Sequence, residues 1–274
     1  MGDREFHFTS RDFDKIRELI YTHAGISLNP GKRDMVYSRI ARRLRITGLE
    51  RFEDYLERLH EDAEEWQHFV NALTTNLTSF FREAHHFPVL AEHAIAQRRA
   101  GRSPLLLWSA ACSTGEEPYS MAMTLIDAFE SFRPPVRILA TDLDTNVVRS
   151  AEAGVYSADR VARIPDRDLK RFFLRGKGQH EGMVRVRPEV RALVTFRSFN
   201  LLGQNWPVKG PFDEVFCRNV MIYFDKPTQY RLLSRLRPLM HPDGLLFVGH
   251  SESLAHAADL FRLKGKTVYS PVTR

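Results

Sequence analysis

The sequence predicts an α/β protein: a doubly wound, mainly parallel sheet, preceded by a small helical domain and carrying a small inserted antiparallel β-subdomain. Three observations predict it. Residues 1–75 show helical periodicity and almost no strand signal. From about residue 100, strand-like runs alternate with helical segments. A glycine-punctuated stretch, Gly176-Lys177-Gly178-Gln179-His180-Glu181-Gly182, then leads into the alternating Met183-Val184-Arg185-Val186-Arg187.

In the first part Ser10 is placed to cap a helix in which Phe13, Ile16, Leu19 and Ile20 recur at helical spacing. Gly25 ends it, and Asn29-Pro30-Gly31 makes a turn. A second helix, near 33–46, sets Val36, Ile40 and Leu44 on one face and Arg39, Arg42, Arg43 and Arg45 on the others, up to the stop at Gly48. Phe52, Tyr55, Leu56 and Leu59 mark a third helix, and Trp66, Phe69, Val70 and Leu73 a fourth. Residues 1–75 are therefore expected to form a helical bundle, 76–100 a linker or lid, and 101–274 the sheet domain.

Strand candidates in the sheet domain are 105–109, 136–141, 194–198, 214–217, 245–248 and 267–270. Helices are expected at 117–129, 145–153, 169–173 and 228–239. The last two strands are joined so closely that they should pair antiparallel. The β-subdomain is expected at about 176–196.

The chain has 274 residues, 43% of them hydrophobic, enough for one large core and a satellite. No run of eighteen apolar residues is present, so no membrane insertion is expected. The start, Met1-Gly2-Asp3-Arg4-Glu5, is charged and lacks an apolar signal core, which points to a cytoplasmic protein. Cys112 and Cys217 read as buried free thiols; without any Cys-x-x-Cys, no metal site is expected. A net charge of +6 and a pI near 9.4 suit either nucleic acid or an acidic protein surface. The pair His85-His86 reads as a helix-surface feature.

The strand Pro104-Leu105-Leu106-Leu107-Trp108-Ser109 runs into the small-residue turn Ala110-Ala111-Cys112-Ser113-Thr114-Gly115, after which Glu116 and Glu117 open a helix. Small side chains let a ligand approach the backbone where a strand hands over to a helix. The turn lacks a pyrophosphate fingerprint and sets negative charge where a phosphate would want positive potential. It implies a phosphate-free nucleoside or a ligand that is itself cationic. Asp142 ends the second strand, 25 residues after Glu117 (142 − 117), where a carboxylate can accept both ribose hydroxyl protons or simply cap the next helix. Asn200 and Leu201, after the third strand, offer an amide and an apolar side chain to an adenine ring. Arg218 and Asn219 stand between two apolar runs, as pocket groups or as surface loop. The segment Thr74-Thr75-Asn76-Leu77-Thr78-Ser79-Phe80-Phe81-Arg82-Glu83 is either a capping junction or a lid whose hydroxyls, amide and Arg82 meet the ligand.

These strings together resemble the chemotaxis receptor methyltransferases, the CheR family, at TTNLTSFFREAHHFP, WSAACSTGEEPYSMAM, ATDLD, FCRNVMIYFD, DGLLFVGHSE and GKRDMVYSR. The resemblance spans nearly the whole chain; Cys112 stands where another small residue is expected. It implies a class I methyltransferase-like sheet that binds S-adenosylmethionine, leaves S-adenosylhomocysteine, and esterifies glutamates of chemoreceptors. By resemblance Asn76, Thr78 and Arg82 contact the methionine portion and Asp142 the ribose, with Glu117 beside the cofactor. Asn200 and Leu201 border the adenine, Arg218 and Asn219 complete the pocket, and Tyr223 lies near the transferred methyl, so Arg82 and Tyr223 are the catalytic candidates.

The partners implied are chemoreceptor cytoplasmic helices, met by the arginine-rich helix, and a receptor C-terminal pentapeptide at the β-subdomain. A monomer is expected. A nucleic-acid methyltransferase is the competing enzyme reading, against which stands the absence of a base-flipping motif or an aromatic platform. A donor-sensing module without transfer is the non-enzymatic one.

Overall fold

The computed structural model describes residues 4–273, so Met1-Gly2-Asp3 of the charged start lie outside the described residues. The helical unit consists of α1 (Ser10–Ala24), α2 (Arg33–Thr47), α3 (Phe52–Arg58) and α4 (Ala63–Leu73). Ile16 and Ile20 of α1 and Val36, Ile40 and Leu44 of α2 share one core with Phe52, Tyr55, Phe69 and Val70. Three- and four-residue spacing puts such side chains on a single helix face. The cap of α1 is Thr9, not Ser10. Its hydroxyl accepts the Asp12 N–H while the Asp12 carboxylate accepts the Thr9 N–H, and this reciprocal box satisfies two helix-end donors at once.

After α5 (His86–Arg99) the sheet domain alternates through β1 (Leu105–Ser109), α6 (Glu116–Ala128), β2 (Val136–Asp142) and α7 (Thr145–Ala153). It continues with β3 (Val155–Ser157), α8 (Asp166–Phe172), β4 (Phe173–Arg175), β5 (Met183–Val186), α9 (Pro188–Arg191) and β6 (Val194–Ser198). The last elements are β7 (Phe212–Phe216), α10 (Lys226–Leu236), β8 (Met240–Phe247), β9 (Phe261–Gly265) and β10 (Val268–Pro271).

The main sheet has seven strands in the order β6-β2-β1-β7-β8-β10-β9. The pairs among β6, β2, β1, β7 and β8 are parallel, and β10 returns antiparallel to β8 as the short connection predicts. The edge strand β9 is an addition to the sequence reading. Only its first residue is buried, so it carries no apolar alternation to read. Alternate side chains of the sheet fill two cores. Leu105, Leu107 and Phe247 face α5 and α6, while Trp108, Val215 and Leu246 face α10.

Two expectations need correction. The small sheet is antiparallel in the order β3-β5-β4; two of its strands precede Gly176, and residues 194–196 belong to the main sheet. Three-residue strands are too short to show a period. His86 is not on the surface: it is fully buried, edge-on to Phe247 with centroids 5.3 Å apart. Cys112 and Cys217 are free and buried, as read.

The chain starts at β1, builds outward through β2 and β6, then jumps back to β7 on the other side. The carboxyl ends of β1 and β7 therefore form a switch point, where open α/β sheets leave a crevice.

Candidate active site

Turns after β1, β2, β6 and β7 reach the same rim of the sheet. The 74–82 segment and residues 24–35 of the helical unit close over it, making a cleft of about 1330 Å³ counting its open mouth. All ten predicted site residues line this cleft: Asn76, Thr78, Arg82, Glu117, Asp142, Asn200, Leu201, Arg218, Asn219 and Tyr223.

The turn after β1 is bent by Ser113 (φ 47°) and Gly115 (φ 97°), which points the Ser113 N–H at Asp142 Oδ2, 2.8 Å away. Asp142 Oδ1 accepts the Asp144 N–H at 3.0 Å. The cap of α7 is Asp144, through the Asn146 and Val147 N–H groups. Asp142 is thus held by backbone donors and is free of capping duty. Burial pushes its carboxyl up to about 6, against the pull of those N–H groups.

Glu117 accepts the Ser109 hydroxyl at 2.7 Å and lies 3.5 Å from Arg218 Nε. Burial pushes its carboxyl up to about 7, with Arg218 and Ser109 opposing. Arg218 is itself buried; one terminal nitrogen donates to the Arg82 carbonyl, while Nε and Nη1 have no hydrogen-bond partner among the described residues. A dry guanidinium with unused donors at a cleft wall is a receptor for an anionic oxygen.

Three non-glycine residues around Arg218 hold left-handed backbone: Phe81 (φ 52°), Glu83 (φ 56°) and Asn219 (φ 57°). Such conformations persist only where the surroundings enforce them. At Asn219 the enforcement comes from Glu252, whose carboxylate collects the N–H groups of Asn219 (2.9 Å), Met221 (2.9 Å), Ile222 (3.3 Å) and Gly249. That fixes the loop leading to Tyr223.

Residues 76–270 match the family described as CheR methyltransferase, SAM binding domain, and residues 11–74 match CheR methyltransferase, all-alpha domain. The chain belongs to the CheR methyltransferase family. It is 54% identical over 270 residues to chemotaxis protein methyltransferase 2 of Pseudomonas aeruginosa, covering 98% of this chain and 96% of that one. With the chemotaxis protein methyltransferase of Salmonella typhimurium it shares 53% over 260 residues, covering 94% and 89%. Its ligand is S-adenosylmethionine, and the cleft suits that group. Buried Asp142 and half-buried Glu117 match a positively charged nucleoside, and Arg218 has donors to spare for a carboxylate.

Several CheR cleft residues also make hydrogen bonds within the chain. The Asn76 amide donates to Asp144 Oδ2 at 2.8 Å and to Thr74 Oγ1 at 3.3 Å, tying the linker to the sheet domain. The segment therefore joins the helical unit to the sheet domain and also lines the cleft. Asn200 donates to the His23 carbonyl at 2.8 Å, joining the rim to α1. Arg82 Nη1 donates to the Leu77 carbonyl at 2.9 Å. Glu83, His85 and His86 bring ligand atoms within 4.8 Å of one another. Arg218 Nε, however, stands 3.9 Å from Glu83, and that fixed positive charge opposes a cation there.

Residue-by-residue reading missed Ser113, Glu252 and the contribution of the helical unit, Ala24, Ile26, Ser27, Leu28, Lys32 and Met35. The Gly25 turn was the available signal. Gly25 holds a left-handed φ of 64°, which favours glycine, and a Cβ there would push on the Leu202 side chain, 2.1 Å from its Cδ1, where α1 seats against the sheet domain.

Proposed function

We propose that this chain is a protein-glutamate O-methyltransferase that forms methyl esters on chemoreceptor glutamates in the cytoplasm. The convergence of Arg218, Glu117 and Asp142 on one dry rim carries this reading, together with the chemotaxis methyltransferases it resembles. When bound, S-adenosylmethionine supplies an electrophilic methyl on a sulfonium. Asp142 then holds the ribose hydroxyls, Asn200 and Leu201 flank the adenine, and Glu117 offsets positive charge. Arg218 and Asn219, with Asn76, Thr78 and Arg82, hold the methionine end.

The acceptor needs no general base, because a glutamate with a pKa of about 4.3 is already a carboxylate at neutral pH. The chain's task is to remove water from that carboxylate and hold it in line. In this reading Arg82 and Tyr223, which both line the cleft, orient it. Incubation with labelled donor and a chemoreceptor fragment, followed by alkaline release of methanol, tests the activity. Label in RNA in place of base-labile protein ester would favour the nucleic-acid reading, and donor binding without transfer the sensor reading.

For the partner, α2 supports less docking surface than its four arginines promise. Arg43 pairs bidentately with Glu65, Arg45 binds Glu5, and Arg39 donates to the Ala72 and Thr74 carbonyls. Arg42 and Arg45 are the exposed members of the set, and Arg45 is engaged by Glu5. The small sheet supports tethering of a receptor tail peptide, since strand addition needs an open edge and β4 is an edge strand with Leu174 exposed. A titration with a receptor tail pentapeptide that shows no binding would remove this part of the proposal.

A further inference from the structure

We infer that the small β-sheet is a clamp on the cofactor-binding turn, with Arg160 and Tyr156 as positioning residues for S-adenosylmethionine. The inference rests on the cleft being the donor site. Tyr156, in β3, is buried and donates its hydroxyl to the Thr114 carbonyl at 2.7 Å. Arg160, four residues on, donates to Thr114 Oγ1 at 3.1 Å and forms an ion pair with Glu116. These contacts fall on the turn between Ser113, whose N–H holds Asp142, and Glu117.

The turn is closely fitted to this support. A Cβ on Gly115 would stand 2.9 Å from Tyr156 Oη and 2.9 Å from Ala151 Cβ. The same sheet also braces the other wall of the cleft. Phe80, two residues before Arg82, packs edge-on against Tyr156 at 5.0 Å and Phe173 at 5.5 Å.

The electrostatic argument concerns two neighbouring carboxylates. Glu116 and Glu117 both lie in the first turn of α6, and Glu116 is wholly inaccessible to solvent. A buried carboxylate must be paired or it takes up a proton or moves. Arg160 neutralises Glu116 from the solvent side, so that Glu117 alone answers to Arg218 and the ligand. Without Arg160, Glu116 keeps only the Thr114 hydroxyl as a side-chain partner among the described residues and is drawn toward solvent with the 113–117 turn, which misplaces the Ser113 N–H and Glu117 together. The donor's affinity falls while Arg82 and Tyr223, on the other wall, remain in place.

The test is calorimetric binding of S-adenosylmethionine and S-adenosylhomocysteine to Arg160→Met, Arg160→Lys, Tyr156→Phe and the double variant Glu116→Gln/Arg160→Met. Loss of one charge-assisted contact should weaken binding of both nucleosides by about tenfold in Arg160→Met and about threefold in Tyr156→Phe. Arg160→Lys should recover most of the loss. Turnover at saturating donor should stay within about threefold of wild type, a KM-type defect. Because Arg160 acts through Glu116, the double variant should bind no worse than Arg160→Met. It also lacks the stranded charge and stays folded if the single variant does not.

Unchanged dissociation constants, or a lowered melting temperature with unchanged affinity, would overturn the clamp and leave a merely structural contact. If the wild-type chain binds neither nucleoside, the donor-site reading fails instead, which separates the two failures.

Discussion

Arg218 Nε stands 3.5 Å from Glu117 Oε2 at the back of the cleft, both side chains almost free of solvent. The guanidinium opposes the burial that pushes the Glu117 carboxyl up, and the carboxylate in turn balances the buried positive charge. Removing one member strands its partner, at a cost of about 3–5 kcal/mol for a buried pair. Arg218→Met should therefore weaken donor binding by at least about a hundredfold. Arg218→Lys should rescue only part of it, because an ammonium cannot aim donors in as many fixed directions. Calorimetry with S-adenosylhomocysteine checks both variants.

Donor affinity should rise with pH. Glu117, pushed up to about 7 by burial, is largely protonated at pH 6 in the ligand-free cleft, and a cationic donor favours its ionised form. A group of that pKa gains about tenfold in ionised fraction between pH 6 and 8, and affinity should follow, then level off. Glu117→Gln should flatten the upper part of the profile. The stability sign is opposite. With a folded value above the unfolded one of about 4.3, the ligand-free protein binds more protons than the unfolded chain, and loses stability as pH rises from there to about 7. Melting curves across that range, with and without donor, separate the two effects.

Arg82→Ala should lower turnover by about a hundredfold and Tyr223→Phe by about tenfold, as losses of orientation. Neither should move the pH–rate profile, because neither residue transfers a proton. Single-turnover methyl transfer at saturating donor and acceptor reads this directly. Wild-type turnover in both variants would end the assignment.

Gly249→Ala should damage function more than stability. A Cβ there would come within 2.3 Å of Asn219 Nδ2 and 2.9 Å of Glu252 Oε2. It would displace the carboxylate that holds the loop before Tyr223. We expect at least a tenfold fall in kcat/KM with a melting temperature lowered by only a few degrees, roughly the effect of 1 kcal/mol.

Two neighbouring arginines of α2 should part company. Arg43 forms a bidentate pair with Glu65, which also accepts the Tyr55 hydroxyl at 2.6 Å, so Arg43→Ala should destabilise the fold by about 3 kcal/mol. Arg42→Ala should change stability by less than about 0.5 kcal/mol, as an exposed position. If α2 meets an acidic receptor helix, Arg42→Ala should raise KM for the receptor fragment several-fold. Chemical denaturation and acceptor titration distinguish the two.

Local chemistry determined much of this protein without help from the fold. The apolar runs of β1, β2, β6 and β7 and the helices between them are written in hydrophobic period, and polar residues at those strand ends go to the one rim that a doubly wound sheet exposes. That is why Asp142, Asn200, Leu201, Arg218 and Asn219 could be named from the residues at strand ends and Glu117 from the turn after β1, while Tyr223 was named through the family resemblance; all of them line one cleft. What only the tertiary structure decided depends on distant pairings. Asp144 rather than Asp142 caps α7 because Ser113 claims Asp142. Arg43 is structural because Glu65 sits beneath it, and His86 is buried because α5 lies on Phe216 and Phe247. The turn just after β3 reaches Glu116 through Arg160 because β3 leaves α7 toward the cofactor turn. Periodicity reports which face of an element is apolar, whereas the partner that reaches a given charge is set by chain segments 20 to 180 residues away, to which no local pattern has access.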